Sequence, residues 1–316
     1  MKKILFTIMA LLVIATTAFA GKVYTVSVTQ IVEHPALDAM RNGVLDRLKE
    51  KGLDVKPNIH IAQGNAATNV QIISQIMGED PNLVLAIATP GAQAAAQKIH
   101  NHPIVFTGVT DPVSAGLVKD LNNTDGTNIT GMSDFSPMDK QVALIQEIIP
   151  TVKSIGVIYN AGEPNSVVLV NKLKEEAAKA GLSVEEATIA NSSGVYQAAK
   201  SLVGRCEVIY VPTDNTVVSA LESAVKVCSQ NNLPLIAADV DSVDRGAIAA
   251  IALDYYKMGL QTGDMAYKIL IDGVNPGSMP IEFLNDVNLH INLKSAAAMG
   301  VTLPETVISR AAKVVQ

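Results

Sequence analysis

Residues 84–88 read Val-Leu-Ala-Ile-Ala and lead without a break into Thr89, Pro90, Gly91 and Ala92. A short apolar run without alternation suits a strand covered on both faces of a parallel sheet. Thr89 is a good N-cap, and Pro90 suits the first helical position, where its missing N–H costs nothing. Gly91 and Ala92 have almost no side chain, so the first-turn N–H groups are uncrowded. A helix start of this kind, at the carboxyl end of a strand, favours an anion such as a carboxylate. Taken alone, the stretch reads first as an ordinary capped turn from strand to helix.

The same unit recurs along the chain. Apolar runs at 22–29, 53–62, 84–88 and 104–107 alternate with helical patterns at 35–51, 66–77 and 90–99. Residues 111–126 are turn-rich, with a short helical stretch expected at 115–121. A strand at 128–132 and a helix at 138–149 lead into a second series. There the strands fall at 155–159, 183–189, 208–211 and 235–237, and the helices at 164–180, 195–203 and 216–231. Such alternation predicts two doubly wound lobes, each a parallel sheet with helices on both faces. The ending departs from a simple tandem: a strand at 248–253, a helix at 256–271 and two extended segments within 281–292. It predicts a chain that returns to the first lobe and then to the second. The fold class is therefore α/β, with a ligand cleft between two lobes and three hinge crossovers. The expected boundaries are 21–132 plus 247–276 for the first lobe, and 133–246 plus 277–316 for the second.

Residues 1–20 predict a cleaved export signal. A basic Met1-Lys2-Lys3 precedes an apolar stretch, and Ala18-Phe19-Ala20 fits the small-x-small cleavage pattern. The expected location is the periplasm, with no stable membrane insertion. The net charge of -6 becomes more negative without Lys2 and Lys3, and no basic run stands out, so nucleic acid is not an expected partner. With Trp absent and aromatics at 4%, the core must be built from Ala, Val, Ile and Leu. The two cysteines, Cys206 and Cys228, flank a strand–helix unit. The helix runs back antiparallel to its strand, so both fall at the same edge, away from the cleft. A disulfide and two free thiols both remain open.

Ligands of open parallel sheets sit beyond the carboxyl ends of the strands. In the first lobe those positions hold Gln30 and His34, then Thr89, Gly91 and Ala92, then Thr110 and Asp111. In the second they hold Asn160, Glu163, Asn165 and Ser166, then Thr213, Asp214 and Asn215, then Asp239, with Asp254 near the return crossover. Singly, most of these read as helix caps or turn residues. Together they set carboxylates on one lobe opposite open amides on the other, which is complementary to a zwitterion. Glu163 and Asp214 are the leading candidates for an ammonium partner. Nucleotide, zinc-protease and nucleophile-elbow motifs are missing, so neither a cofactor nor catalysis is expected.

Several of these positions carry a family resemblance. Residues 28–35 (VTQIVEHP), 87–90 (IATP), 109–113 (VTDPV), 131–134 (GMSD), 159–166 (YNAGEPNS) and 212–215 (PTDN) come in that order. Together they resemble the substrate-binding proteins of ABC importers of the tryptophan/tyrosine-binding type. The resemblance covers nearly the whole chain after residue 20. It implies a type I periplasmic-binding-protein fold, capture of an amino acid (often aromatic) by a monomer that closes around it, and delivery to ABC permease subunits. Two positions depart from the family pattern: Ala252 stands where Gly is frequent, and Gly91 where Ala is common. A binding protein of the same fold for a sugar or other small apolar acid, and a secreted enzyme, are the rival readings. The lack of Trp and the absence of a paired acid and base weigh against them.

Overall fold

Each apolar run in the first half pairs in parallel with another. In the computed structural model, which describes residues 22–123 and 126–316, strand β3 (Leu83–Ile87) is buried at all five positions. It lies between β1 (Val23–Gln30) and β4 (Ile104–Thr107). The first sheet is completed by β2 (Asp54–Ile61) outside β1, and by β5 (Ile129–Ser133) and the short β11 (Glu282–Phe283) outside β4. Its helices are α1 (Pro35–Glu50), α2 (Ala66–Glu79) and α3 (Thr89–Lys98). The expected export signal at 1–20 lies outside the described residues.

The second sheet has the order β13-β12-β10-β9-β8-β6-β7. Its strands are β6 (Ser154–Asn160), β7 (Ser183–Ile189), β8 (Val208–Val211), β9 (Leu235–Ala237), β10 (Ala249–Leu253), β12 (Val287–Asn292) and β13 (Lys313–Val315). Only β10 and β12 meet antiparallel. Helices α4 (Met138–Ile148), α5 (Pro164–Lys179) and α6 (Val195–Leu202) cover this sheet. The helical pattern expected over 216–231 is two helices, α7 (Asn215–Ser219) and α8 (Leu221–Gln230). The break is at Ala220, whose φ of -126 and ψ of 30 leave the helical region. Residues 115–121, expected to contain a helical stretch, form turns instead, anchored by Asp111. Three one- to two-turn helices, α9 (Asp241–Asp244), α11 (Leu293–Ala298) and α12 (Glu305–Ile308), were not legible in the pattern.

Among the described residues the chain crosses between lobes three times: between β5 and α4, between β10 and α10 (Tyr255–Asp272), and between β11 and β12. The second and third crossings fall later than the expected 247 and 277. Residues 249–253 pair with both β9 and β12, with Ala249 opposite Ile236 and Ile291, so they belong to the second sheet. The returning segment therefore begins near Asp254 and reaches Phe283.

Helix α10 packs on α1 almost backbone to backbone. A Cβ at Gly259 would lie 2.3 Å from Met40 O, and one at Gly43 would lie 2.5 Å from Tyr256 O. These glycines let the returning helix sit directly on the first one. Tyr255, at the start of α10, shares the first core and the cavity wall with Leu37 and Met40 of α1.

Candidate functional site

The carboxyl ends of both sheets face each other across a cavity. The first lobe contributes His34, Ala36, Leu37, Met40, Ala88, Gly108, Thr110, Asp134 and Tyr255. The second contributes Asn165, Thr213, Asn215, Val218 and Asp239. Leu37, Met40 and Val218 supply apolar wall; the rest is polar or nearly without side chain.

The start of α3 differs from the expectation. Thr89 is the first helical residue, and Ala88 is the N-cap, with φ 67 and ψ 162. That backbone region is essentially reserved for glycine and costs on the order of 1–3 kcal/mol. Ala88 is held there by its N–H bond to Thr107 O at 3.0 Å and by Ala92 N donating to Ala88 O at 3.1 Å. Of residues 88–92, Ala88 lines the cavity. Thr89 Oγ1 is buried without a hydrogen-bond partner among the described residues, and the N–H groups of a first turn have no partner within their own helix. Gly91 is not needed for space: an added Cβ would be 3.5 Å from Thr29 O, an ordinary contact. Gly91 and Ala92 lie buried behind Ala88 and do not line the cavity. Ala252, the other departure, is buried in β10 opposite Asn288, also outside the cavity.

The two leading carboxylates are turned away from the cavity. Glu163 Oε2 accepts from Asn215 N at 3.1 Å and Asn215 Nδ2 at 2.6 Å, and its Oε1 accepts from Thr216 N at 2.9 Å and Thr216 Oγ1 at 2.6 Å. Asp214 accepts from Asn160 N at 2.6 Å and Val217 N at 2.8 Å, with Ser166 beside it. Both therefore cap α7. Burial, reinforced by the neighbouring charge of Glu163, pushes Asp214 up to about 7.

Other candidates are also held in local structure. Gln30 Nε2 donates to Val32 O and Asp38 Oδ1, each at 2.8 Å, and its Oε1 accepts from Arg41 Nη1 at 2.9 Å. Asp111 accepts from the N–H groups of Val113 and Ser114, and Asp254 from Lys257 N at 3.0 Å. Asn160 bridges Gly162 N and Thr216 Oγ1. Each satisfies backbone that the turn leaves open.

The carboxylates that do line the cavity are Asp134 and Asp239. Asp239 accepts from Ser242 N at 2.8 Å and Ser242 Oγ at 2.6 Å. Asp134, just past β5, accepts from Thr110 Oγ1 at 3.2 Å and Tyr255 OH at 3.4 Å. Burial pushes Asp134 up to about 6, against the opposing pull of these two hydroxyls. Asp134 and Tyr255 were not among the candidates. His34 is buried at the cavity, and burial holds its imidazole below the usual value, opposed by the charge of Asp239. Asn215 faces it across the cleft, short of full hydrogen-bond geometry. Among the described residues no cluster of three or more His, Cys, Asp or Glu side chains is arranged to hold a metal.

Cys206 and Cys228 share the second core as free thiols, so the possible bridge is not formed. Cys206 Sγ donates to Leu202 O at 3.5 Å and sits over Gly156, where a Cβ would approach to 2.5 Å. Burial pushes Cys206 up to about 11 and Cys228 to about 12.

Two lobes with strand ends facing a cavity define a type I periplasmic-binding fold. The chain belongs to the ABC transporter substrate binding protein family, whose model matches residues 25–315. It is 40% identical to the tyrosine-binding protein of Clostridioides difficile (strain R20291) over 278 residues, covering 87% of this chain and 80% of that one. It superposes on a Streptococcus pneumonia ABC domain in complex with L-Trp with a TM-score of 0.89 at 32% identity, covering 93% of this chain and 100% of that one. Against the ligand-free, open structure of a substrate binding protein with adhesive properties from Clostridium difficile, the TM-score is 0.68 at 39% identity, covering 93% and 99%. The open structure is nearer in sequence yet farther in shape. Sequence divergence therefore does not explain the lower score. Among the described residues no helix is long and apolar enough to cross a membrane.

Proposed function

We propose that this protein captures an aromatic L-amino acid between its lobes in the periplasm and hands it to the permease subunits of an ABC importer. It acts as an exported monomer and leaves its ligand chemically unchanged. The observation that carries the reading is the cavity lining: two buried carboxylates, Asp134 and Asp239, beside an apolar wall of Leu37, Met40 and Val218. A tyrosine-binding relative and an L-Trp-bound structural neighbour support the ligand class.

In this reading the ligand ammonium pairs with Asp239, in place of the earlier candidates Glu163 and Asp214. The ligand carboxylate meets the first turn of α3 near Thr89, where a helix N-terminus favours negative charge. Thr110, Asn165, Thr213, Asn215 and His34 complete the polar wall. The closed lobes exclude water, which strengthens each of these contacts.

Thermal denaturation of the ligand-free protein with the twenty L-amino acids and a set of hexoses tests the proposal. Ligand at one hundred times its Kd stabilises the native state by about 2.7 kcal/mol, a readable rise in Tm. Phenylalanine, tyrosine or tryptophan should produce it. A rise with a hexose and none with any amino acid would refute the reading.

A further inference from the structure

Glu163 does not touch the cavity, yet it governs two side chains that do. The amide nitrogens of Asn165 and Asn215 both donate to Glu163 Oε2, at 3.3 and 2.6 Å. Asn165 Nδ2 also donates to Thr213 O at 3.0 Å. A carboxylate only accepts, so each asparagine must turn its NH2 group toward Glu163. Its carbonyl oxygen then points the other way. Asn165 Oδ1 and Thr213 Oγ1 are buried at the cavity without a hydrogen-bond partner among the described residues. Asp239 adds a carboxylate to the same wall.

We infer that Glu163 is a specificity-determining positioning residue: it locks two cavity asparagines carbonyl-inward and so makes the second lobe's wall select ligands bearing an ammonium group. The inference rests on the amino-acid reading above. A ligand with N–H donors satisfies the wall's acceptors. An analogue without the amine leaves buried acceptors unpaired, the situation that gives hydrogen-bonding sites their largest discrimination.

The test compares L-tyrosine with 3-(4-hydroxyphenyl)propionate, which lacks only the amine, by calorimetric competition. Wild type should prefer L-tyrosine by at least about 100-fold. Glu163→Ala frees the Asn215 amide and leaves Asn165 Nδ2 with only Thr213 O and Ser166 Oγ, and Asn165→Ala deletes one carbonyl while leaving the Glu163 contacts to α7 in place. Each should lower that preference at least tenfold, through weaker tyrosine binding, with the propionate changed less than threefold. A purely structural role for Glu163 would weaken both ligands alike, and an unchanged preference in Glu163→Ala overturns the inference. If that variant does not fold, an unchanged preference in Asn165→Ala overturns it equally. Wild type that binds tyrosine and the propionate alike refutes the inference alone. Wild type that binds no amino acid refutes the reading beneath it, and the inference falls with it.

Discussion

Replacing Asp134 by asparagine should make the protein more stable at neutral pH. Asp134 is buried where the first crossover leaves β5, and its two side-chain hydrogen bonds, from Thr110 and Tyr255, are long. Its pKa rises from an ordinary 3.8 to about 6, because burial disfavours the charged form more than the hydroxyls stabilise it. That gap corresponds to ~3 kcal/mol. The sign follows from proton linkage. Well below pH 3.8 the carboxyl is protonated in both folded and unfolded chains and costs nothing. Between about pH 4 and 6 the unfolded chain releases its proton first, so stability falls as pH rises through this window. Above it the full cost of burying the charge is present.

Asparagine imitates the protonated acid in shape and carries no charge. Asp134→Asn should therefore come close to wild type at pH 4 and exceed it by up to about 3 kcal/mol at pH 7.5, or on the order of 5–10 °C in Tm. Urea denaturation of both proteins at pH 4, 6 and 7.5 measures the difference. Asp214 and Asp241 are also raised, but they titrate in both proteins and cancel. A variant no more stable than wild type at pH 7.5, or more stable by the same margin at pH 4, would refute the assignment of the cost to the Asp134 charge.

Asp239→Asn should weaken amino-acid binding by roughly 2–5 kcal/mol, as expected for one partner of a buried ion pair, while Asp111→Asn should leave it unchanged; calorimetry reads both. Gly259→Ala should destabilise the first lobe by about 1–3 kcal/mol or more, because its methyl would meet Met40 O at 2.3 Å; chemical denaturation measures the loss. Both cysteines should resist alkylation in the native protein at pH 8 and react as two thiols once it is denatured, as burial and high pKa require; mass spectrometry of the labelled chain counts them.

The sheets were legible because the buried strands are mostly apolar, as Leu83–Ile87 is throughout. The return of the chain was legible too, but not its timing. Residues 249–253 are small and apolar enough to serve either sheet, and only their pairing with β9 and β12 decides. The Gly43–Gly259 contact left no readable signal, since isolated glycines within helical patterns have several uses.

At the cavity, sequence position identifies the strand end but not the direction of the side chain. Asp111, Asp214 and Asp239 each follow a strand of a parallel sheet, and each accepts a backbone N–H from the segment that follows. Capping and ligand binding ask for the same residue type at the same place, because both satisfy open donors at the start of a helix or turn. What separates them is where the remaining carboxylate face points. Asp239 presents its face to the cavity, Asp214 is enclosed by the β6 and α7 backbone, and Asp111 faces its own turn. Asp134 and Tyr255 were within reach of the same rule: the first directly follows β5, and the second lies two residues past β10. Both sit where the chain leaves one lobe for the other. A crossover brings its residues to the boundary between lobes by construction, so the positions just past β5 and β10 must border any cleft that closes there, whatever their role in capping.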